Sequence, residues 1–434
     1  LILLAFLTNT LSASARTRQD PDRYTATTTD GIDLAIKHYR PDKTARFNRG
    51  AQPILMLPGL ESSMNEFDTR TPEGENWQVE LPSPLASWAV GDKYIQKDHM
   101  RYYSMAHYLW LQGYDVWMAN YRGEGREPYQ SGGIGGYSID DLGIYDAPAL
   151  VEKIYHLTGK HPIWFGHSLG STMAYIYLQG ARYAEGDNPH VVSDPDLVKQ
   201  RNNGDGPQSI KALIDMDGPM VPFTGYILDN PISWASLWWP WYIDLRPMLE
   251  QYGEYIAEPL MNMGDMLWDW FKALGLPDLQ FLNSLLMSDK DNTDPSVGIY
   301  GIKYCFDGLS TRCLAQFADA AAHQEFREDF YHGNRDMIPP DPAPGDGYYV
   351  YSEKNNIKKI SVPALVLADD RRDITNPDDI KNFYLKKTRT GLDRFVRVPG
   401  CAHTDIVCGL NAPAFTYPTI GIWLRNYIKA NGSK

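Results

Sequence analysis

The stretch HPIWFGHSLGSTMAYIYL, residues 161–178, sets an apolar run of strand character directly against one of helical character. Between them stand Gly166, Ser168 and Gly170, spaced G-x-S-x-G. A chain that leaves a strand and enters a helix within two residues must turn through a strained backbone conformation. Glycines two residues before and after the serine leave room where strand and helix backbones crowd together. The serine hydroxyl is thereby pushed clear of the sheet. The Leu169 N–H, first in the helix, faces outward without a partner.

The same alternation of strand and helix recurs on either side of this turn. YTATTTDGIDLAIKHYRP reads as two strands joined at Asp30-Gly31, a hairpin signal. AQPILMLPGLESS is a buried strand, Ile54–Leu57, entering a Pro-Gly loop. A polar, Pro-rich stretch from Asn65 to about His99 follows, then a helix through YYSMAHYLWLQ stopped by Gly113, and a strand in YDVWMANYRGEG. SIDDLGIYDAPALVEKIYHLTGK is a helix capped by Ser138, with acids in its first turn and Gly159 as its stop. After the serine turn come strand 209–217, a long insertion over 218–350, strand SVPALVLADD, helix NPDDIKNFYLKK, strand DRFVRVPG and a closing helix. Strands joined by helices of this length give a mostly parallel sheet, and their continuous apolar runs place helices on both faces. The predicted fold is α/β, with a core in two parts (16–217 and 351–434) around the insertion.

A serine hydroxyl is a weak nucleophile and needs a base oriented by a third group, on loops that follow later strands in the order serine, acid, histidine. His403 follows the last strand and is the only histidine after residue 332. For the acid, the sequence points to Asp373 in DITNP, at the end of its loop, where its side chain can turn back to the imidazole. Asp217, after the preceding strand, is a second geometric option; Asp369 and Asp370 lie nearer their strand, and Asp405 is close to His403 in sequence. The second oxyanion donor is expected from Leu57-Pro58-Gly59-Leu60, with Gly59 allowing close approach and the Leu60 N–H facing the reaction centre.

These segments resemble the acid lipase group of α/β-hydrolases. The likeness runs through GYDVWMANYRGEG, the helix leading to the serine, NNIKKISVPALVLADDRRDITNPDDI and GCAHTDIVCG, most of the chain outside the insertion and the Asn65–His99 stretch. It implies a triad of Ser168, Asp373 and His403, oxyanion donors at Leu60 and Leu169, and hydrolysis of carboxylic esters with long or bulky acyl groups. This chain departs from the group's pattern at Pro58, where a histidine is usual, at Leu169, often a glutamine, and in the longer Asn65–His99 stretch.

Six tryptophans lie between 234 and 270: Trp234, Trp238, Trp239, Trp241, Trp268 and Trp270. They read either as the core of an inserted cap subdomain or as the lining of an apolar pocket that meets a lipid interface. With a net charge of -13 on 434 residues, nucleic acid and anionic membrane surfaces are poor partners. The expected partner is a small-molecule or lipid ester, with no obligate protein partner and no cofactor, and there is no cluster of metal-ligand spacing. LILLAFLTNTLSASA reads as the rear of a secretory leader, residues 1–15, cut after Ala15, and so implies export. Cysteines 305, 313, 401 and 408 form two close pairs in sequence, expected as the local bridges Cys305–Cys313 and Cys401–Cys408, with buried thiols as the alternative. Thioesterase, polyester hydrolase and acyltransferase chemistry use the same residues, and a non-catalytic binder of apolar ligands on the same fold is the rival from outside the enzymes.

Overall fold

A computed structural model describes residues 21–41, 52–185, 190–203, 205–219, 242–256, 290–329, 349–370 and 375–431. The expected leader and all six tryptophans of the 234–270 stretch lie outside them.

Twelve strands are described: β1 (Asp22–Thr27), β2 (Asp33–Tyr39), β3 (Pro53–Leu57), β4 (Asp115–Ala119), β5 (Ile163–His167), β6 (Ala181–Tyr183), β7 (Val191–Ser193), β8 (Ala212–Met216), β9 (Tyr242–Asp244), β10 (Gly308–Ser310), β11 (Ala364–Ala368) and β12 (Arg394–Arg397). Eight of these make one sheet in the order β1-β2-β4-β3-β5-β8-β11-β12. The β1–β2 hairpin turns at Gly31, and β2 pairs antiparallel with β4; every later pairing is parallel. The short pairs β6–β7 and β9–β10 stand apart from this sheet.

Side chains alternate between two hydrophobic clusters, one on each face. On the upper face, Leu55, Leu57, Trp117, Trp164, Leu213 and Val366 join the helices Ala147–Thr158 and Leu169–Leu178. Ile54, Met56, Met118, Phe165, Ile214 and Leu367 join Met105–Leu111 and Thr416–Asn431. Both faces are covered, which is why the strands read as unbroken apolar runs. Full burial of each such side chain is worth ~1.5–3 kcal/mol.

The helix from Ser138 starts with the expected cap: Ser138 Oγ accepts from the Asp141 N–H at 3.2 Å, and the Asp141 carboxylate accepts from the Ser138 N–H at 2.8 Å. It then widens into a π turn over Leu142–Asp146 before resuming to Thr158. A Cβ on Gly143 would stand 2.3 Å from Ile176 Cγ2, so the widened turn lies hard against the helix of the serine. Asp146, at its end, accepts from both the backbone N–H and the Nε of Arg122, at 2.9 and 2.8 Å.

The Asn65–His99 stretch is built rather than loose. Its Trp77, Val79, Leu81, Ala89 and Ile95 pack with Tyr102 and Tyr103, and with Val297, Tyr300 and Cys305 from the insertion. Farther along, Cys313, Phe317, Ala320 and Phe326 enter the main upper-face cluster, so the described end of the insertion shares the core of the sheet. β9, β10 and the residues around them dock on the Arg-Gly segment. The Asp307 carboxylate accepts from the Gly125 N–H at 2.7 Å and Arg126 Nε at 2.9 Å, and Tyr242 donates to the Gly123 carbonyl at 2.8 Å.

The expected disulfides are corrected. All four cysteines are free thiols. Cys305 belongs to the cluster of the 65–99 stretch while Cys313 sits in the upper-face core, where its thiol donates to the Tyr137 carbonyl at 3.3 Å. The Cys401 thiol donates to the Val398 carbonyl at 3.2 Å rather than facing Cys408. Nearness in sequence did not become nearness of sulfurs. Among the described residues, no helix is long and apolar enough to cross a membrane.

Candidate active site

The strand order reverses around β3: β4 lies on one side and β5 on the other. In an open α/β sheet such a switch point opens a crevice beyond the carboxyl ends of the strands. Gly59 and Leu60 follow β3, and Ser168 follows β5. Both enter that crevice.

Ser168 adopts φ 51° and ψ -120°, a left-sided conformation that costs ~1–3 kcal/mol outside glycine. It is held there by its N–H donating to the Met216 carbonyl at 2.9 Å, and by the helix that begins at Leu169. The flanking glycines are dictated by contact. A Cβ on Gly166 would stand 2.4 Å from the Ser171 nitrogen, and one on Gly170 would stand 2.2 Å from the Leu57 carbonyl oxygen. The Trp164 indole N–H donates to the Gly170 carbonyl at 2.9 Å, pinning the first helical turn to the strand before it.

His403 Nε2 stands 2.8 Å from Ser168 Oγ, and its Nδ1 stands 2.5 Å from Asp217 Oδ2. All three residues are nearly closed to solvent, at 6% exposure for the serine, 1% for the histidine and none for Asp217. Asp217 follows β8 at φ 58°, a second non-glycine residue in the left-handed region, and the following Gly218 packs against Ser171. The same carboxylate also accepts from Thr375 Oγ1 at 2.9 Å on Oδ2 and from the Asp369 N–H at 3.2 Å on Oδ1. Three donors therefore converge on it. An ionised carboxylate only accepts, so Nδ1 carries the imidazole proton and the Nε2 lone pair faces the serine hydroxyl.

Asp215, two residues before, braces this turn. Its carboxyl accepts from the Gly218 N–H at 2.8 Å and from the Tyr175 hydroxyl, and burial pushes it up to about 7.

Asp373, the acid favoured by the sequence, lies outside the described residues. Asp217 was the second option, and it is the carboxylate that the structure places on the imidazole. Its one sequence signal was the Asp-Gly pair after a strand, which marks a sharp turn able to re-aim a side chain. Asp405 caps its own loop instead, accepting from the Ala402 N–H at 2.5 Å.

Above the serine, the loop after β3 comes within contact: a Cβ on Gly59 would stand 3.2 Å from Ser168 Cβ. The Gly59 carbonyl is tied down by the Tyr121 hydroxyl at 2.7 Å. Among the described residues, neither the Leu60 N–H nor the Leu169 N–H has an acceptor. Asp217, Asp369 and His403 bring ligand atoms within 4.8 Å of one another, a grouping able in principle to hold a cation. Both ring nitrogens of His403 are already committed to Ser168 and Asp217, so the arrangement fits a proton relay better than a metal centre.

Comparison with known proteins bears on this geometry. A family model described as serine aminopeptidase, S33, matches residues 96–222, which include the serine turn and β8. Human lipase member N is 22% identical over 421 residues, covering 94% of this chain and 88% of its own. Along most of its length the chain is similar to a lipase of the α/β-hydrolase group. Lipase lipl-1 of Caenorhabditis elegans is 28% identical over 165 residues, 36% of this chain and 33% of that protein. Human gastric triacylglycerol lipase is 27% identical over 163 residues, 36% of this chain and 34% of its own. For both, the match spans about a third of the relative's length.

Proposed function

We propose that this hydrolase cleaves carboxylic esters with apolar acyl groups, through an acyl-enzyme on Ser168. The observation that carries the reading is the buried bridge formed by His403 between Ser168 Oγ and Asp217 Oδ2. In this mechanism His403 Nε2 takes the serine proton as Oγ attacks the ester carbonyl. The positive charge that develops on the imidazole is balanced by Asp217. The Leu60 and Leu169 N–H groups receive the oxyanion, donors of the kind worth ~3–4 kcal/mol each to such transition states. His403 then returns the proton to the leaving alcohol, and water activated by the same nitrogen releases the acid.

An apolar acyl preference is supported by the tryptophans of the insertion, which lies in sequence between the strand of Asp217 and β11 and whose described residues Cys305 and Asp307 bond to the chain that follows the oxyanion loop. Placement of residues 218–350 as a cap over the site belongs to the same proposal. So does export, supported by the apolar run at Leu1–Leu7 and the small residues before Arg16.

Hydrolysis of p-nitrophenyl esters from acetyl to palmitoyl tests the reading. Rates should rise beyond acetyl and vanish in Ser168→Ala. A profile that peaks at acetyl and collapses for long chains leaves a small-ester esterase and removes the apolar acyl assignment.

A further inference from the structure

A second histidine sits under the reacting serine and takes no part in the proton relay. His167, the last residue of β5, is 2% exposed. Its Nε2 lies 3.0 Å from the backbone carbonyl of His403, and its Nδ1 lies 3.1 Å from Glu66 Oε1, on the short turn Met64–Phe67. The two imidazole rings are 5.0 Å apart, centre to centre. A Cβ on Gly59 would come within 3.3 Å of His167 Nδ1, so this ring also floors the oxyanion loop.

One contact fixes a proton, and the charge on Glu66 decides the other. A backbone carbonyl can only accept, so Nε2 bears a hydrogen. With Glu66 as a carboxylate, which can only accept, Nδ1 bears one as well. A ring with both hydrogens is a cation. We propose that Glu66 holds His167 as an imidazolium, making it a positioning residue for His403: it tethers the backbone of the catalytic loop, and its charge keeps the neighbouring imidazole in the free-base form. The inference rests on the role of His403 as the base.

Electrostatics agree with the geometry. Burial disfavours a charged ring, but the Glu66 charge and hydrogen bond, the His403 carbonyl and the Asp217 charge outweigh it, and the net direction is upward from an ordinary histidine. Among the described residues, Tyr121, Cys305 and Cys408 also interact with Glu66. Burial pushes all three up, so they stay neutral around pH 7. The pair is thus a buried cation and anion with the cation nearer the catalytic ring. Proton sharing in the opposite sense, a neutral His167 facing a protonated Glu66, fits the same distances and is the outcome that would refute the proposal.

Ring nitrogen NMR on the full chain, labelled with 15N histidine and assigned by His167→Gln, distinguishes the two. Both His167 nitrogens should remain in the protonated range at pH 8, where ordinary histidines show one bare nitrogen. A bare nitrogen at His167 at that pH overturns the inference. Glu66→Gln adds a kinetic reading, because glutamine can donate to a neutral Nδ1 and leave the Nε2 tether intact. Losing the nearby cation makes His403 easier to protonate, so the acidic limb of kcat/KM should move up by about half a pH unit or more. A limb that stays in place while overall rate falls would mean a merely structural pair. The NMR measurement needs no turnover, so it fails separately from the catalytic reading, which fluorophosphonate labelling of the unmutated protein tests.

Discussion

Replacing Asp217 by Asn examines the relay at its least obvious member. The wild-type carboxylate accepts from His403 Nδ1, Thr375 Oγ1 and the Asp369 N–H, with no donor of its own. An asparagine offers one oxygen and one NH2. If its oxygen keeps His403 and Thr375, the NH2 is driven against the Asp369 N–H, donor against donor in a closed site. If it flips, the NH2 faces Nδ1 and moves the imidazole proton to Nε2, so the nitrogen facing Ser168 is no longer basic. Either way the developing imidazolium loses a charge partner about 4 Å from its centre, worth ~4 kcal/mol at an effective dielectric constant near 20. Together with the wrong tautomer, the expected loss in kcat is ~10⁴-fold, or about 5.5 kcal/mol. The assay is kcat/KM on p-nitrophenyl butyrate for Asp217→Asn and Asp373→Asn side by side, with circular dichroism to establish folding. Asp373→Asn should stay within about tenfold of wild type. A collapse in Asp373→Asn with Asp217→Asn near wild type would refute the assignment of Asp217.

Gly170→Ala drives a methyl to 2.2 Å from the Leu57 carbonyl. It should lose ~1–3 kcal/mol in thermal unfolding and most of the turnover, because the helix must retreat from the oxyanion loop; a variant with wild-type melting and rate would show that the elbow has slack. Asp215 gives a pH signature. Its carboxyl is held at about 7 in the fold and near 4 unfolded, so between those values the folded chain keeps a proton that the unfolded chain releases. Stability from this group is therefore fully present below pH 4 and declines by ~1.4 kcal/mol per unit as pH rises to 7. Asp215→Asn removes that slope, and its melting temperature should gain on wild type from pH 4 to 7 and then run parallel; parallel curves throughout would contradict it. The thiols, buried at Cys305, Cys313 and Cys401 and half-buried at Cys408, are all raised by burial, Cys408 to about 12, and should resist iodoacetamide in the native protein. All four should alkylate after denaturation without reductant, and two or none would restore the disulfides.

What the sequence made legible is what is local. Strand, turn and helix around Ser168 meet within a few residues, and the glycines are required by contacts inside that same stretch. The parallel sheet was visible because both faces are buried, which removes the alternation a half-exposed strand would show. His403 was readable by elimination, being alone beyond the last strand. The acid stays open at that level, because β8 and β11 are neighbours in the sheet and only tertiary geometry selects between Asp217 and Asp373. Asp217 reaches the imidazole by a left-handed turn, and its carboxylate is fixed by Thr375 and Asp369, 158 and 152 residues away. The thiols failed for the same reason: spacing of eight residues carried Cys305 and Cys313 into different clusters. His167 was masked by its own motif, since nothing in G-H-S-L-G announces a Glu66 partner 101 residues earlier.

Covalent capture tests the central claim most directly: that burial, a relay and two vacant amides make one hydroxyl reactive. The protein is treated with a fluorophosphonate and digested, and the adduct is located by peptide mass spectrometry. A single phosphonyl group on Ser168, absent in His403→Ala, is the predicted result. No adduct, or one carried by another serine, would contradict it.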